Sequence, residues 1–188
     1  RALDFEEKLT HMQNAFVAIE RCRLPVIVGV TGGCIGAGID MITACDIVYT
    51  TKDSFFSVKE VDVAMVADLG TLQRLPILAS NWSLMKEYCL TGERFSAAEA
   101  QRLGIVSRVF DTEQELHKNL FKVAQQIASK SPIAVVGIKH TINTPKNRIV
   151  DQGLREVART NMSQIMTNDV MDAVTASFQK KNASYQKL

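Results

Sequence analysis

Three carboxylates in this sequence are candidates for acid–base chemistry, Asp68 most clearly for its apolar setting. Asp40 lies in Gly38-Ile39-Asp40-Met41-Ile42, Glu60 follows the apolar run 55–58, and Asp68 is the one charge between Asp62 and Arg74. Desolvation penalises a carboxylate anion, so a carboxyl group in apolar company has a raised pKa. Such a group can hold or take a proton near neutral pH, as general acids and bases must. Each acid also has a plainer reading. Asp40 suits the first turn of a helix as a dipole partner. Glu60, beside Lys59 and Asp62, suits a solvated loop. Asp68 suits the N-cap of a helix starting near Leu69.

Ahead of Asp40 runs Thr31-Gly32-Gly33-Cys34-Ile35-Gly36-Ala37-Gly38, with four glycines in the seven residues 32–38. Between a strand and a helix, such a run brings free backbone N–H groups and the positive end of a helix dipole to one place. A phosphate or a developing oxyanion fits there. No Gly-Lys-Ser/Thr follows, so it is not a phosphate-binding P-loop, and it matches a dinucleotide fingerprint only loosely. Close strand–helix packing through small residues is the other reading.

The elements that must position these groups follow from periodicity. Phe5, Leu9, Met12, Phe16 and Ile19 recur at helical spacing. The run 26–30 is apolar throughout and reads as a strand covered on both faces. A short helix is expected at 39–45, strands at 46–50, 55–58 and 105–110, and a loop at 59–69. Helices are expected at 70–75, 80–89 and 96–103. The last is marked by a Ser96/Glu99 capping box and by Gly104 as its stop. Beyond 111 the pattern is helical: one helix to about 129, a second from Ser131-Pro132, a third from about 150 to 180 with a break near 167–168. The order implies an α/β layer structure, 1–110, carrying the site, followed by a helical region, 111–188.

Composition narrows the classes. The 188 residues are 46% apolar and 22% charged, which suits a globular chain with a sizeable core. A net charge of +2 is too near neutral to imply nucleic acid as the main partner. No apolar run is long enough to span a bilayer. The opening Arg-Ala-Leu-Asp-Phe-Glu-Glu does not read as a secretory signal. Cys22, Cys34, Cys45 and Cys89 fit no zinc spacing, and three histidines are scattered, so no metal site is expected. The cysteines read as reduced thiols, mostly in packing roles.

The stretch Pro25-Val-Ile-Val-Gly-Val-Thr-Gly-Gly-Cys-Ile-Gly-Ala-Gly-Ile-Asp40, continued through Ala44-Cys45-Asp46-Ile47, resembles the crotonase (enoyl-CoA hydratase/isomerase) superfamily. The segment from Phe55 to Pro76 is similar to its Δ3,5-Δ2,4-dienoyl-CoA isomerase branch, and the resemblance extends over essentially the whole chain. It implies a crotonase-like spiral of strand–helix units with C-terminal trimerisation helices, forming trimers or dimers of trimers. It implies an acyl-CoA thioester substrate and no cofactor beyond the CoA that the substrate carries. The N–H of Ala37, between Gly36 and Gly38, matches one oxyanion-hole donor; the family usually has glycine at that position. Glu60 matches the base at C2, Asp68 the acid at C6, and Asp40 an acid that orders the site.

The same resemblance leaves two other enzymes in view, an enoyl-CoA hydratase and a simple Δ3-Δ2 isomerase, and also a non-catalytic binding protein of the same fold. Hydratases typically have glutamate at both of the first two acidic positions, and none at that of Asp68. Lys139 matches a lysine often found in the C-terminal helices, against the plainer reading of a solvated helix lysine. Family members begin with further strands and a helix before the position of Leu3, so the second oxyanion donor is expected outside this sequence. Gln186-Lys187-Leu188 is a poor copy of a Ser-Lys-Leu peroxisomal signal. A peroxisome is the expected location, with the mitochondrion as the alternative.

Overall fold

The computed structural model describes residues 2–164, 167–179, 181 and 185, with backbone alone for 2–5 and 162–164. Residues 186–188, which carry the expected targeting tripeptide, lie outside the described set. Helix α1 spans Ala2–Glu20 and is followed by strands β1, Ile27–Val30, and β2, Gly33–Ile35. Next come α2, Ala37–Ala44; β3, Ile47–Thr51; and β4, Phe55–Ser57. A single 3-10 turn at Glu60–Val63 leads to α3, Thr71–Leu78, and α4, Trp82–Thr91. Then follow β5, Phe95–Ser96; α5, Ala97–Leu103; β6, Arg108–Phe110; and α6, Glu113–Ala128. Helices α7, Pro132–Gln164, and α8, Asn168–Phe178, complete the described chain.

Two small sheets carry the strands. One has the order β1-β3-β6 and is parallel throughout; in the other, β2-β4-β5, the β2–β4 pair is parallel and β4–β5 antiparallel. The main core lies among them: Val30, Ile39, Ile42, Val48, Phe56, Phe95, Leu103 and Val106 are all buried in one cluster. Helix α2 is almost wholly apolar, and it buries Ile39, Asp40, Ile42, Thr43 and Ala44. That places Asp40 in the interior together with the helix that carries it.

Several expectations are corrected. Strand β1 is an exception, covered on both faces as expected: Val28 and Val30 face the core, and Leu116 and Leu120 of α6 lie against Gly29 on the other side. The glycine run hides a strand, β2, which Phe55 and Phe56 of β4 hold in register. Ile105 and Val106 are buried but precede the strand, which starts at Arg108. The expected second and third C-terminal helices are one 33-residue helix, α7. Pro145 removes a helical hydrogen bond inside it. The helix continues because it is anchored on both sides of the proline, by Lys139 on Asp46 before it and by Lys146 on Glu20 after it. A break does separate α7 from α8, close to the expected position.

The buried line of α1 is also rotated from the apolar spacing. Leu9, Gln13, Val17 and Glu20 are buried, while Met12 is 47% exposed. Two of the four buried residues are polar because both have partners. Gln13 Nε2 donates to the main-chain oxygens of Asp68 and Leu154, and Glu20 pairs with Arg74 and Lys146. The capping box at Ser96/Glu99 and the left-handed Gly104 stop are as expected.

Candidate active site

The glycine turn begins the site. Gly36 caps α2 with φ 55° and ψ −120°, a conformation that side-chain-bearing residues rarely adopt. Its N–H donates to Ser57 O, which ties the turn to β4, and its carbonyl accepts from Ile39 and Asp40. Helix α2 starts at Ala37, so the N–H groups of Ala37 and Gly38 have no intrahelical acceptor, and Ala37 is exposed. A Cβ built on Gly36 would stand 3.2 Å from Glu60 Oε1. The free N–H groups and the Glu60 carboxylate therefore face one small space. The glycine at 36 keeps that space open.

Glu60 enters from the 3-10 turn after β4. Ala64 closes that turn in the left-handed region, at φ 55°, and Met65 N–H donates back to Glu60 O. Glu60 is half-buried and its Oε2 has no hydrogen-bond partner. Burial raises its pKa, and the charges of Asp40 and Asp68 raise it further, against hydrogen bonds from backbone N–H groups that lower it. The solvated-loop reading therefore fails for Glu60, although Lys59 and Asp62 do pair at the surface.

Asp40 is 1% exposed. Its Oδ1 accepts from Thr71 N–H at 2.6 Å and from Thr71 Oγ1 at 2.8 Å, while Oδ2 is buried without a partner. It thus lies in the first turn of α2, as the dipole reading expects, and also accepts from the first N–H of α3. Burial pushes its pKa up; the two Thr71 hydrogen bonds and the Arg74 charge oppose this, and the Asp68 charge adds to it.

Asp68 is buried, and the N-cap of α3 is Gly70, so Asp68 is not a helix cap. Its Oδ2 accepts from Asn161 Nδ2 of α7 at 2.5 Å. Burial raises its pKa, and the Asn161 amide and the residue's own backbone N–H lower it. All three acids thus hold their protons above the ordinary carboxylate range, with burial as the leading cause in each. The mutual charge effects put them in one electrostatic neighbourhood. Two raised carboxyls beside a pair of free N–H groups can take a proton from carbon, stabilise the oxyanion and return a proton elsewhere.

Beneath the site lies a buried charge network that sequence reasoning missed. Arg74 is fully buried; its Nε and Nη2 donate to Glu20 Oε2 at 3.3 and 3.1 Å, and its Nη1 donates to Leu69 O. Lys146 Nζ sits 2.8 Å from Glu20 Oε1. Glu20, in line with Leu9, Gln13 and Val17 on α1, gave no clear signal in the sequence. Thr71 and Asn161 offered none, and Asn161 comes from the region read as separate from the site. Lys139 is neither solvated nor placed among the acids. It donates to Asp46 Oδ2 at 2.6 Å and to Leu24 O, its side chain only 9% exposed.

The four cysteines are free; Cys34 is buried, but Cys22 is exposed, outside the packing role expected for most of them. Among the described residues no three His, Cys, Asp or Glu side chains are grouped as metal ligands are. No described helix is long and apolar enough to cross a membrane.

An acid-lined turn on a spiral of strand–helix units defines a class, and residues 5–187 match the family described as enoyl-CoA hydratase/isomerase. The chain belongs to that family. The particular relatives are narrower. It is 47% identical over 181 residues to the peroxisomal Δ(3,5)-Δ(2,4)-dienoyl-CoA isomerase of Arabidopsis thaliana, covering 96% of this chain and 65% of that protein. It is 45% identical over 175 residues to the mitochondrial enzyme of the same name from Rattus norvegicus, covering 93% of this chain and 54% of that protein. The chain thus spans between about half and two thirds of these curated relatives. Among solved structures, an enoyl-CoA hydratase/isomerase from Pseudoalteromonas atlantica is similar at TM-score 0.84 and 27% identity, over 91% of this chain and 68% of that one. An enoyl-CoA hydratase from Mycobacterium avium shares the fold at TM-score 0.87 and 20% identity, over 97% of this chain and 70% of that one. The fold is the crotonase fold.

Proposed function

We propose that this chain carries the acid–base machinery of an isomerase that converts 3,5-dienoyl-CoA to 2,4-dienoyl-CoA during breakdown of unsaturated fatty acids. Glu60 takes a proton from C2, and its raised pKa makes it a competent base. The electron pair left by the C2–H bond delocalises toward the thioester oxygen and C6. The N–H of Ala37 receives the oxyanion, with Gly36 and Gly38 allowing the thioester to approach. Asp68, kept protonated by burial, delivers its proton to C6, and the double bonds come to rest at C2 and C4. Asp40 raises the basicity of Glu60 through its charge. Protons and electrons balance without a metal or redox cofactor.

The observation that carries this reading is a third buried carboxyl, Asp68, beside the pair Asp40 and Glu60. A base alone cannot serve carbons as far apart as C2 and C6. The isomerase names of the relatives at 47% and 45% identity support it. The same relatives are named peroxisomal and mitochondrial, and this chain is proposed to work in one of those two compartments, the peroxisome first. A homotrimer or dimer of trimers is proposed as the assembly. Phe121, Ile133, Ile138 and Phe178 on α6, α7 and α8 are each at least 60% exposed and would be covered there.

The test is the near-UV absorbance of the conjugated product, followed with the longest chain its gene encodes. Asp68→Asn is expected to lower turnover by about a hundredfold or more. Turnover unchanged in Asp68→Asn would return the protein to the hydratases or simple isomerases.

A further inference from the structure

Two amides from helices distant in sequence converge on the segment that ends in Asp68. Gln13 of α1 donates to the main-chain oxygen of Asp68 at 2.7 Å and to that of Leu154 at 3.3 Å. Asn161 of α7 donates to the main-chain oxygen of Val66 at 3.1 Å and to the Asp68 side chain at 2.5 Å. Asn161 is fully buried, and its own Oδ1 has no partner. A main-chain carbonyl can only accept, so the Val66 contact fixes which end of the Asn161 amide points at Asp68. That end is the N–H end. The amide cannot turn over to accept a proton from Asp68 without losing Val66.

We infer that Asn161 is a positioning residue for the proton donor: it occupies Asp68 Oδ2 as an acceptor and leaves the transferable proton on Oδ1. This rests on the reading of Asp68 as the acid that protonates C6. Asn161 donates to Val66 and Asp68 and not to the base or the oxyanion donors, so its direct effect falls on the second half of the reaction. The titratable groups that feel the charge of Asp68 are Asp40 on α2 and Glu60 in the 3-10 turn. Helices α1 and α7 present it with the amides of Gln13 and Asn161. An N–H donor favours the anion, so Asn161 also sets how readily Asp68 gives up its proton. A bond from an amide to a charged carboxyl corresponds to about a tenfold change in an equilibrium, or more.

The experiment separates the two halves of the reaction. Isomerisation is followed by absorbance in D2O, and deuterium entry at C2 of recovered substrate is followed by mass spectrometry. Asn161→Leu keeps the bulk and removes the donor; Asn161→Ala removes both and serves if the leucine disturbs packing. In either, isomerisation is expected to fall about tenfold or more, while C2 exchange stays within about twofold of the parent. The alkaline limb of kcat/KM, where the acid loses its proton, is expected to move to higher pH, since the variant lacks the donor that favoured the anion. Exchange and isomerisation falling together, or an unmoved alkaline limb, would assign Asn161 to packing alone and overturn the inference. Asp68→Asn is measured alongside. Loss of isomerisation with exchange retained upholds the acid role on which the inference rests. Isomerisation intact in Asp68→Asn would remove that role, a failure distinct from that of Asn161.

Discussion

Replacing Thr71 by valine removes one of two donors to Asp40 and keeps the shape of the side chain. The oxygen concerned, Oδ1, would retain the Thr71 N–H at 2.6 Å and lose the hydroxyl at 2.8 Å. Oδ2 already has no partner. A hydrogen bond to a charged group is worth about 1.5–3 kcal/mol, and Thr71 is fully buried, so water does not replace it. Thr71→Val is therefore expected to cost about 1.5–3 kcal/mol where Asp40 is ionised. The cost depends on pH with a definite sign. The folded-state pKa of Asp40 is raised, so the native state keeps a proton that the unfolded state releases. Stability accordingly falls as pH rises from the unfolded carboxyl range through the folded value, then levels. Loss of the hydroxyl raises the folded value further. Parent and variant should then differ little where Asp40 is protonated in both, and separate as pH rises through the parent's folded value. Urea denaturation at several pH values reads this, with the slope m checked for constancy. In an Asp40→Asn background the pH-dependent part should vanish. A deficit that does not change with pH, or that never appears as pH rises, would refute the argument that the hydroxyl acts on the buried charge.

Other outcomes follow from the same geometry. Gly70→Ala should destabilise the protein by about 3 kcal/mol or more in a thermal melt. Its φ is +129°, and a Cβ there would stand 1.7 Å from Arg74 Nη1, a group that Glu20 prevents from swinging away. At pH 8 a thiol reagent should label the exposed Cys22 well ahead of Cys34 and Cys89, as peptide mapping would show. Burial pushes Cys34 to about 12; burial, then the charge of Glu60, pushes Cys89 to about 11.

The sequence was most informative where local rules coincide with tertiary ones. The Ser96/Glu99 box and Gly104 are local devices, and both sit where expected. Asp40 and Asp68 were legible because a charge in an apolar run needs a reason; Glu60, beside Lys59 and Asp62, stood out only through the family resemblance. What escaped was set by long-range partners. Gln13 and Glu20 occupy core-facing positions of α1 only because Asp68, Leu154, Arg74 and Lys146 meet them there. Asn161 looks like any polar helix residue until the chain brings it to Asp68, 93 positions away. Strand β2 has only three residues, too few for a periodic signal, and depends on β4 for its pairing. Pro145 read locally favours two helices, but ion pairs on either side of it sustain one.

The hold of α7 on the acid turn has a consequence for how the protein is made. Contacts between residues 13 and 154, 21 and 151, and 68 and 161 close loops of much of the chain's length. Loop closure must precede the gain from such contacts, so chains rich in them fold slowly. During synthesis the glycine turn, Glu60 and Asp68 emerge well before Asn161 does. Asp68 is then without the Asn161 amide until the long helix has been translated and has docked. The buried setting of Asp68 is therefore completed late, by a residue 93 positions further along the chain.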